Sequence, residues 1–483
     1  MKPLPLLIIF SWFLFNNLSV FAQKKDKISK SKQAVIESVE KHQAELIELS
    51  DKIWAYAETA LEEHNSSKAL SDYAKSQGFE VQLGVAEMPT AFIASYGSGK
   101  PVIGILGEFD ALPGISQKAS PVKEPYQEGA PGHGCGHNMF GVGSLGAAVA
   151  IKELMEAGKL TGTVRFYGTP AEETIFGKLY MARAGMFDDV DICLDWHPGA
   201  DIEANTQSSQ ALIDFTISFK GQAAHAAADP WNGRSALDGL ELYTTGLNYI
   251  REHVEPSVRI HYMIQHGGDV VNVVPEHAQI WTRIRDSKRE GMLAVYERVK
   301  KIAEGAAMMA EVGYEIKLIS GLHEILVNRE GAAVLQKNLE LLGPITYTSE
   351  ETEFAKKIQE ATKKEQVGLD GTIKPLSETR EHPPGGSTDV GDISWLVPEI
   401  SLSTTTAPVA TPWHSWAVVA CGGMSIGHKG MLFSAKALAM TMVDVFEDED
   451  LRNRMWEEFK ERKGDYKYEA ILPSGPPPVP SRD

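Results

Sequence analysis

Two runs of residues have the types and spacing that metal chemistry needs. The first is Gly132-His133-Gly134-Cys135-Gly136-His137-Asn138, where soft donors alternate with glycine. Glycine lets the backbone bend until side chains two apart converge on one point. Cysteine and histidine together suit zinc or another first-row divalent ion. Taken alone, the run reads equally as a glycine loop with incidental polar residues. The second is Ala171-Glu172-Glu173. Adjacent carboxylates can divide labour, one binding metal and the other acting as general base. A solvated acidic turn is the competing reading.

Two further histidines lie in similar places. His197 stands in Asp195-Trp196-His197-Pro198 and His414 in Thr411-Pro412-Trp413-His414-Ser415. Each follows an apolar run with strand character, and each alone reads as a structural histidine. A separate group comprises His225 among alanines and glycine, Asn272 before Val273-Val274-Pro275, and Arg283. Arg283 is either a surface charge or a bidentate clamp for a substrate carboxylate.

The elements that position these residues follow from periodicity. Helical spacing runs through 31–76, and strands are expected at 79–83, 91–96, 102–107, 163–168 and 191–195, with a Gly/Ala-rich helix at 143–155. Strands alternating with helices predict an α/β domain with a largely parallel sheet. Cys135, Glu173, His197 and His414 then fall near successive strand ends of one sheet, where ligands bind in such folds. From 211 to 320 the order changes to β-α-β-β-α-β, a ferredoxin-like unit about the size of a small domain. After His323 the chain returns to helices, with apolar strands expected around Ile400 and Val418 and a helix over 429–446. The predicted organisation is a catalytic domain in two parts, 24–206 and 323–470, interrupted by an inserted domain at 207–322. Residues 471–483, with five prolines from 472 onward, are expected to be an extended tail.

The 483 residues are 43% hydrophobic and 23% charged, which excludes a disordered, collagen-like or multi-span membrane chain. The net charge of −18 argues against nucleic acid or anionic lipid as partner. Lys2, the apolar stretch 4–15 and Ala22 predict a signal peptide over 1–22, with export to a periplasmic or extracellular space and no membrane association after cleavage. An uncleaved anchor is the alternative. Three cysteines cannot form a disulfide framework; Cys193 and Cys421 are expected to be buried free thiols.

Taken together, these residues resemble the di-metal aminoacylase/carboxypeptidase superfamily, in the amidohydrolase branch whose first ligand motif is Cys-x-His. The similar stretches include Gly107-Glu108-Phe109-Asp110-Ala111-Leu112, Gly132–Asn138, Gly233–Asp238, Ser387–Asp392 and His428–Met431. The resemblance covers 53–446. It implies that Cys135, His137, Glu173, His197 and His414 bind two divalent ions, Mn2+ or Zn2+. It implies that Glu172 is the general base, with Asp110 supporting the Cys-x-His loop. It makes the inserted domain a lid and dimerisation domain, so that His225 reaches a neighbouring active site across a homodimer. The implied reaction is hydrolysis of an N-acyl amino acid such as p-aminobenzoyl-glutamate, with Asn272 and Arg283 binding substrate. A second, A-type chain of the same hydrolase is a further expected partner. A dipeptidase, a general N-acyl amino-acid deacylase, or a secreted binding protein on a dead site are the alternatives.

Overall fold

The computed structural model describes residues 27–480 apart from 381 and 384, so the expected signal peptide lies outside the described residues. Helices α1 (Lys30–Lys41), α2 (Gln43–Tyr56) and α3 (His64–Ser76) lead into β1 (Glu80–Leu83), β2 (Phe92–Ser98) and β3 (Val102–Glu108). Next come α4 (His137–Glu156), β4 (Gly162–Thr169), α5 (Gly177–Arg183), β5 (Ile192–Gly199) and β6 (Glu203–Ala204). The insertion comprises β7 (Ala211–Lys220), α6 (Ala236–Ile250), β8 (Arg259–His266), β9 (His277–Asp286), α7 (Arg289–Ala310) and β10 (Gly313–Leu322). The chain closes with α8 (Arg329–Leu342), α9 (Ser349–Ala361), α10 (Val390–Ser394), β11 (Glu399–Thr405), α11 (Trp416–Gly422), α12 (Ser425–Glu447) and α13 (Glu449–Lys463).

The large sheet has the order β1-β2-β4-β3-β5-β11-β6. Its central strands β4, β3, β5 and β11 are parallel, and antiparallel strands finish both edges. Every residue of β3 is buried, as expected of a strand covered on both faces. Small residues of α4 allow its close approach to the sheet. A Cβ at Gly143 would lie 3.0 Å from the Trp196 ring, whose Nε1 donates to Phe140 O at 3.0 Å. The parallel strands deliver their carboxyl ends to one edge, where the glutamate pair, His197 and His414 gather.

The second sheet, β10-β7-β9-β8, is wholly antiparallel. Burial alternates residue by residue along β9. Ile213, Phe215, Ile217, Ile280 and Ile284 point to a separate core under α6 and α7, with Leu240, Leu247 and Val299. The other face carries Arg283, Arg285 and His261 and is covered at Leu212, which packs with Phe176 and Leu179. An antiparallel bridge joins Gly321 of β10 to Ile471, so the C-terminal segment reaches the insertion.

Val418 does not lie in a strand. It sits in α11, whose start is capped by Ser415 Oγ accepting from Ala417 N at 3.3 Å. A short apolar run bounded by polar residues does not distinguish a buried strand from a buried helix turn. All three cysteines are buried free thiols, as expected for Cys193 and Cys421. Among the described residues no helix is long and apolar enough to cross a membrane.

Candidate metal centre

Cys135 ends the loop before α4 and His137 begins the helix, with Gly136 between them at φ +83°. A Cβ at Gly136 would also meet the Pro198 ring at 2.9 Å. Conformation and space both restrict this position to glycine, which is why two donors can flank it. The glutamate pair follows β4 through Ala171, itself left-handed at φ +64°. Ala171 N donates to the buried Glu63 at 2.9 Å, and that bond fixes the turn. His414 is also left-handed, at φ +56°. Such backbone is costly and gathers at functional sites.

The side chains form two overlapping triads. Cys135, His137 and His197 offer ligand atoms within 4.8 Å of one another, as do Cys135, Glu173 and His414. Cys135 belongs to both, so it would contribute its sulfur to whichever ions these donors hold. Each interior histidine has its tautomer set from behind. His197 Nδ1 donates to Pro198 O at 2.8 Å, leaving the Nε2 lone pair facing Cys135 Sγ at 3.3 Å. His137 Nδ1 donates to Asp110 Oδ1 at 2.9 Å, and its Nε2 faces Glu108 Oε2. Asp110 accepts from Glu173 N through its other oxygen at 2.9 Å. It therefore orients one ligand from each triad.

The donor set fits divalent cations. Glu173 Oε1 is buried without a hydrogen-bond partner among the described residues, and cation coordination would satisfy it. Burial raises Cys135 to about 12 and Glu173 to about 7. Burial, followed by the charge of Glu108, holds Glu172 well above the carboxylate range. Burial, followed by His137, lowers His197 to about 4. These are the directions expected of a dry, acid-rich cavity, and a bound dication reverses the first three by stabilising the anions.

Three residues close to the site were not singled out from the sequence. Glu108 Oε2 lies 3.0 Å from His137 Nε2, and with Glu172 these form a third cluster of donors. Lys178, completely buried, bridges Glu108 and Asp389 at 2.6 Å each. It ties the end of β3, the start of α5 and the Ser387-Thr388-Asp389 turn together. The only sequence signal was an acid two residues from Asp110 at the end of an apolar strand.

A cavity of about 420 Å3 joins the two sheets. Its lining includes Cys135, Glu172, Glu173, His197 and His414, with Arg283 and Arg285 on the opposite wall. Arg283 reaches the cavity, but its guanidinium is already forked onto Asp214, with Nε donating to Oδ1 at 2.8 Å. Arg285 has no such partner, and its Nε is buried without a hydrogen bond. His225 and Asn272 do not line this cavity. They meet each other on exposed loops of the insertion, where Ala226 N donates to Asn272 O at 3.0 Å and His225 bridges with Val273.

Residues 104–400 match the family model for Peptidase family M20/M25/M40. The chain belongs to this family and is a metal-dependent hydrolase. It is 38% identical to the B-type chain of p-aminobenzoyl-glutamate hydrolase from Escherichia coli (strain K12), covering 92% of this chain and 98% of that one. It is 29% identical to a Homo sapiens Xaa-Arg dipeptidase over 85% of this chain and 88% of the relative. Among solved structures, a dinuclear metal binding peptidase of the M20 family from Bacillus subtilis shares the fold. Its TM-score is 0.57 at 19% identity, covering 84% of this chain and 99% of that one.

Proposed function

We propose that the chain hydrolyses the amide bond of N-acyl amino acids, with p-aminobenzoyl-glutamate as substrate and p-aminobenzoate and glutamate as products. The observation that carries this reading is the pair of triads sharing Cys135, beside Glu172 and opposite an unpaired arginine. Cys135, His137 and His197 would hold one divalent ion and Cys135, Glu173 and His414 the other. Manganese and zinc both suit the set, and the thiolate leans towards zinc. When bound, such ions acidify and orient an attacking water. Glu172 takes the proton of that water as the C–O bond forms. As the C–N bond breaks, it delivers the proton to the leaving nitrogen. Arg285, rather than Arg283, receives the α-carboxylate, because its fork is free.

His225 contributes from a second copy. Its Nδ1 accepts from Ala227 N and Ala228 N at 3.2 and 3.1 Å, so the neutral ring carries its proton on Nε2 and presents a donor outward. A donor of that kind stabilises the developing oxyanion. The insertion at 207–322 then acts as a ferredoxin-like lid and dimerisation domain between catalytic parts 24–206 and 323–470. Edge strand β8, with exposed Tyr262, Met263 and Ile264, supplies the contact between copies. The E. coli relative is named as one component of a hydrolase, which supports pairing with an A-type chain as an alternative assembly. Export follows from the apolar N-terminal segment.

The Xaa-Arg relative favours a dipeptidase as the second reading. The arginine-lined wall opposes it, since a basic leaving residue would be repelled there. Glu172→Ala decides the chemistry. Turnover of p-aminobenzoyl-glutamate should fall at least about a hundredfold with metal content unchanged; full activity would refute the assignment. Mixing Glu172→Ala with His225→Ala protein should restore activity if the site is shared. A panel including dipeptides separates the two substrate classes.

A further inference from the structure

The arginine-bearing face of the smaller sheet has a charge pattern that amide hydrolysis at the metal centre does not use. Strand register places three rows on that face. Leu212, Arg285 and Arg259 form one, Asp214, Arg283 and His261 the next, and Thr216, Trp281 and Met263 the third. Arg285 and Arg259 are directly opposed on neighbouring strands. Like charges in that position are destabilising unless something compensates them. The acid of these rows, Asp214, is spent on Arg283. Arg259 donates only to the carbonyls of Pro256 and Val258, at 2.6 and 2.8 Å.

The face also continues the catalytic cavity. A second cavity of about 350 Å3 shares Arg283 and Arg285 with the first and adds His261, Trp281 and Met263. A third, of about 310 Å3, begins at His261 and carries Arg259, Arg251 and, as its one acid, Glu255. His261 is depressed by its partial burial and then by four arginines, Arg285 first. Cationic potential therefore extends from the catalytic centre along the lid.

We propose that Arg259 and His261 form a second carboxylate subsite, which reads the side-chain acid of the leaving amino acid. The inference rests on Arg285 holding the α-carboxylate in the amide hydrolysis proposed above. Directly opposed residues have Cβ atoms ~5 Å apart, a span comparable to the two carboxylates of glutamate. The substrate class is then N-acyl derivatives of acidic amino acids, and a neutral side chain leaves the opposed arginines uncompensated. The same pattern selects against a basic leaving residue.

The test compares p-aminobenzoyl-glutamate with its neutral isostere p-aminobenzoyl-glutamine. Both compounds are measured for kcat/KM on manganese-loaded enzyme and for binding to Glu172→Ala protein by calorimetry. Wild type should prefer the acid, chiefly through KM, and Arg259→Gln should reduce that preference about ten- to a hundredfold. His261→Gln should have a smaller effect, and Arg259→Lys should keep part of the preference. A wild type that binds both compounds equally, or an Arg259→Gln protein that keeps the full preference, overturns the subsite. Absence of hydrolysis with a retained binding preference would refute the reaction while supporting the subsite.

Discussion

The two walls of the catalytic cavity are both crowded with like charge, but of opposite sign. The wall from the larger sheet collects Glu108, Asp110, Glu172, Glu173 and Asp389 around two triads of metal donors. The wall from the smaller sheet presents Arg283 and Arg285 beside one acid, Asp214, and Arg259 continues the row beyond the cavity. The first crowd is dry and is held by Lys178, by histidines and by the cations it attracts. The second is half-exposed, and solvent screens its charges. Burial therefore makes one wall essential to the fold, and exposure leaves the other free of that role.

Removing the shared thiolate attacks the acidic wall most directly. Cys135→Ala should drop bound metal to background and abolish turnover, read by elemental analysis and assay; full metal occupancy would mean that Cys135 bridges nothing. Lys178→Met tests whether the crowd depends on its internal cation. Two buried carboxylates would lose their partner, a loss of about 3–5 kcal/mol, read as a lowered midpoint in denaturant. An unchanged midpoint would show that the acids are compensated elsewhere. On the basic wall, Arg285→Gln should raise KM about tenfold or more with kcat less affected, and should leave the unfolding midpoint near that of wild type.

The smallest effect concerns Glu63, which burial first and then Asp110 raise from 4.5 to about 8. A folded-state value above the ordinary one means that Glu63 supports the fold below about pH 4.5. That support is lost as pH rises through about 8. Glu63→Gln can still accept from Ala171 N and should flatten the stability profile across that window. An identical slope in wild type and variant would show that Glu63 does not carry the linkage.

The chemistry-bearing residues were legible because their types are rare together and fall near strand ends. The parallel-sheet reading brought Cys135, Glu173, His197 and His414 towards one edge, and the family resemblance supplied the ligand set with His137. Arg285 was not distinguishable from Arg283, since both lie on one face of one strand. Only the register that sets Asp214 opposite Arg283 separates them. Lys178 was not singled out in the sequence, because its burial is purely tertiary. His225 and Asn272, expected at the site, lie on exposed loops of a single copy, away from the cavity.

The interruption of the large sheet by the smaller one has a consequence for how the chain is made. On the ribosome, the insertion has all four strands and both helices once residue 322 has emerged. The large sheet still lacks β11, which ends at Thr405, and α12, which packs on α1 and α4 and ends at Glu447. A module with local contacts can close while the surrounding sheet waits for its last parallel strand. The metal donors emerge in the same order, with Cys135, His137, Glu173 and His197 long before His414. During synthesis one triad is complete in sequence while the other still lacks its final ligand.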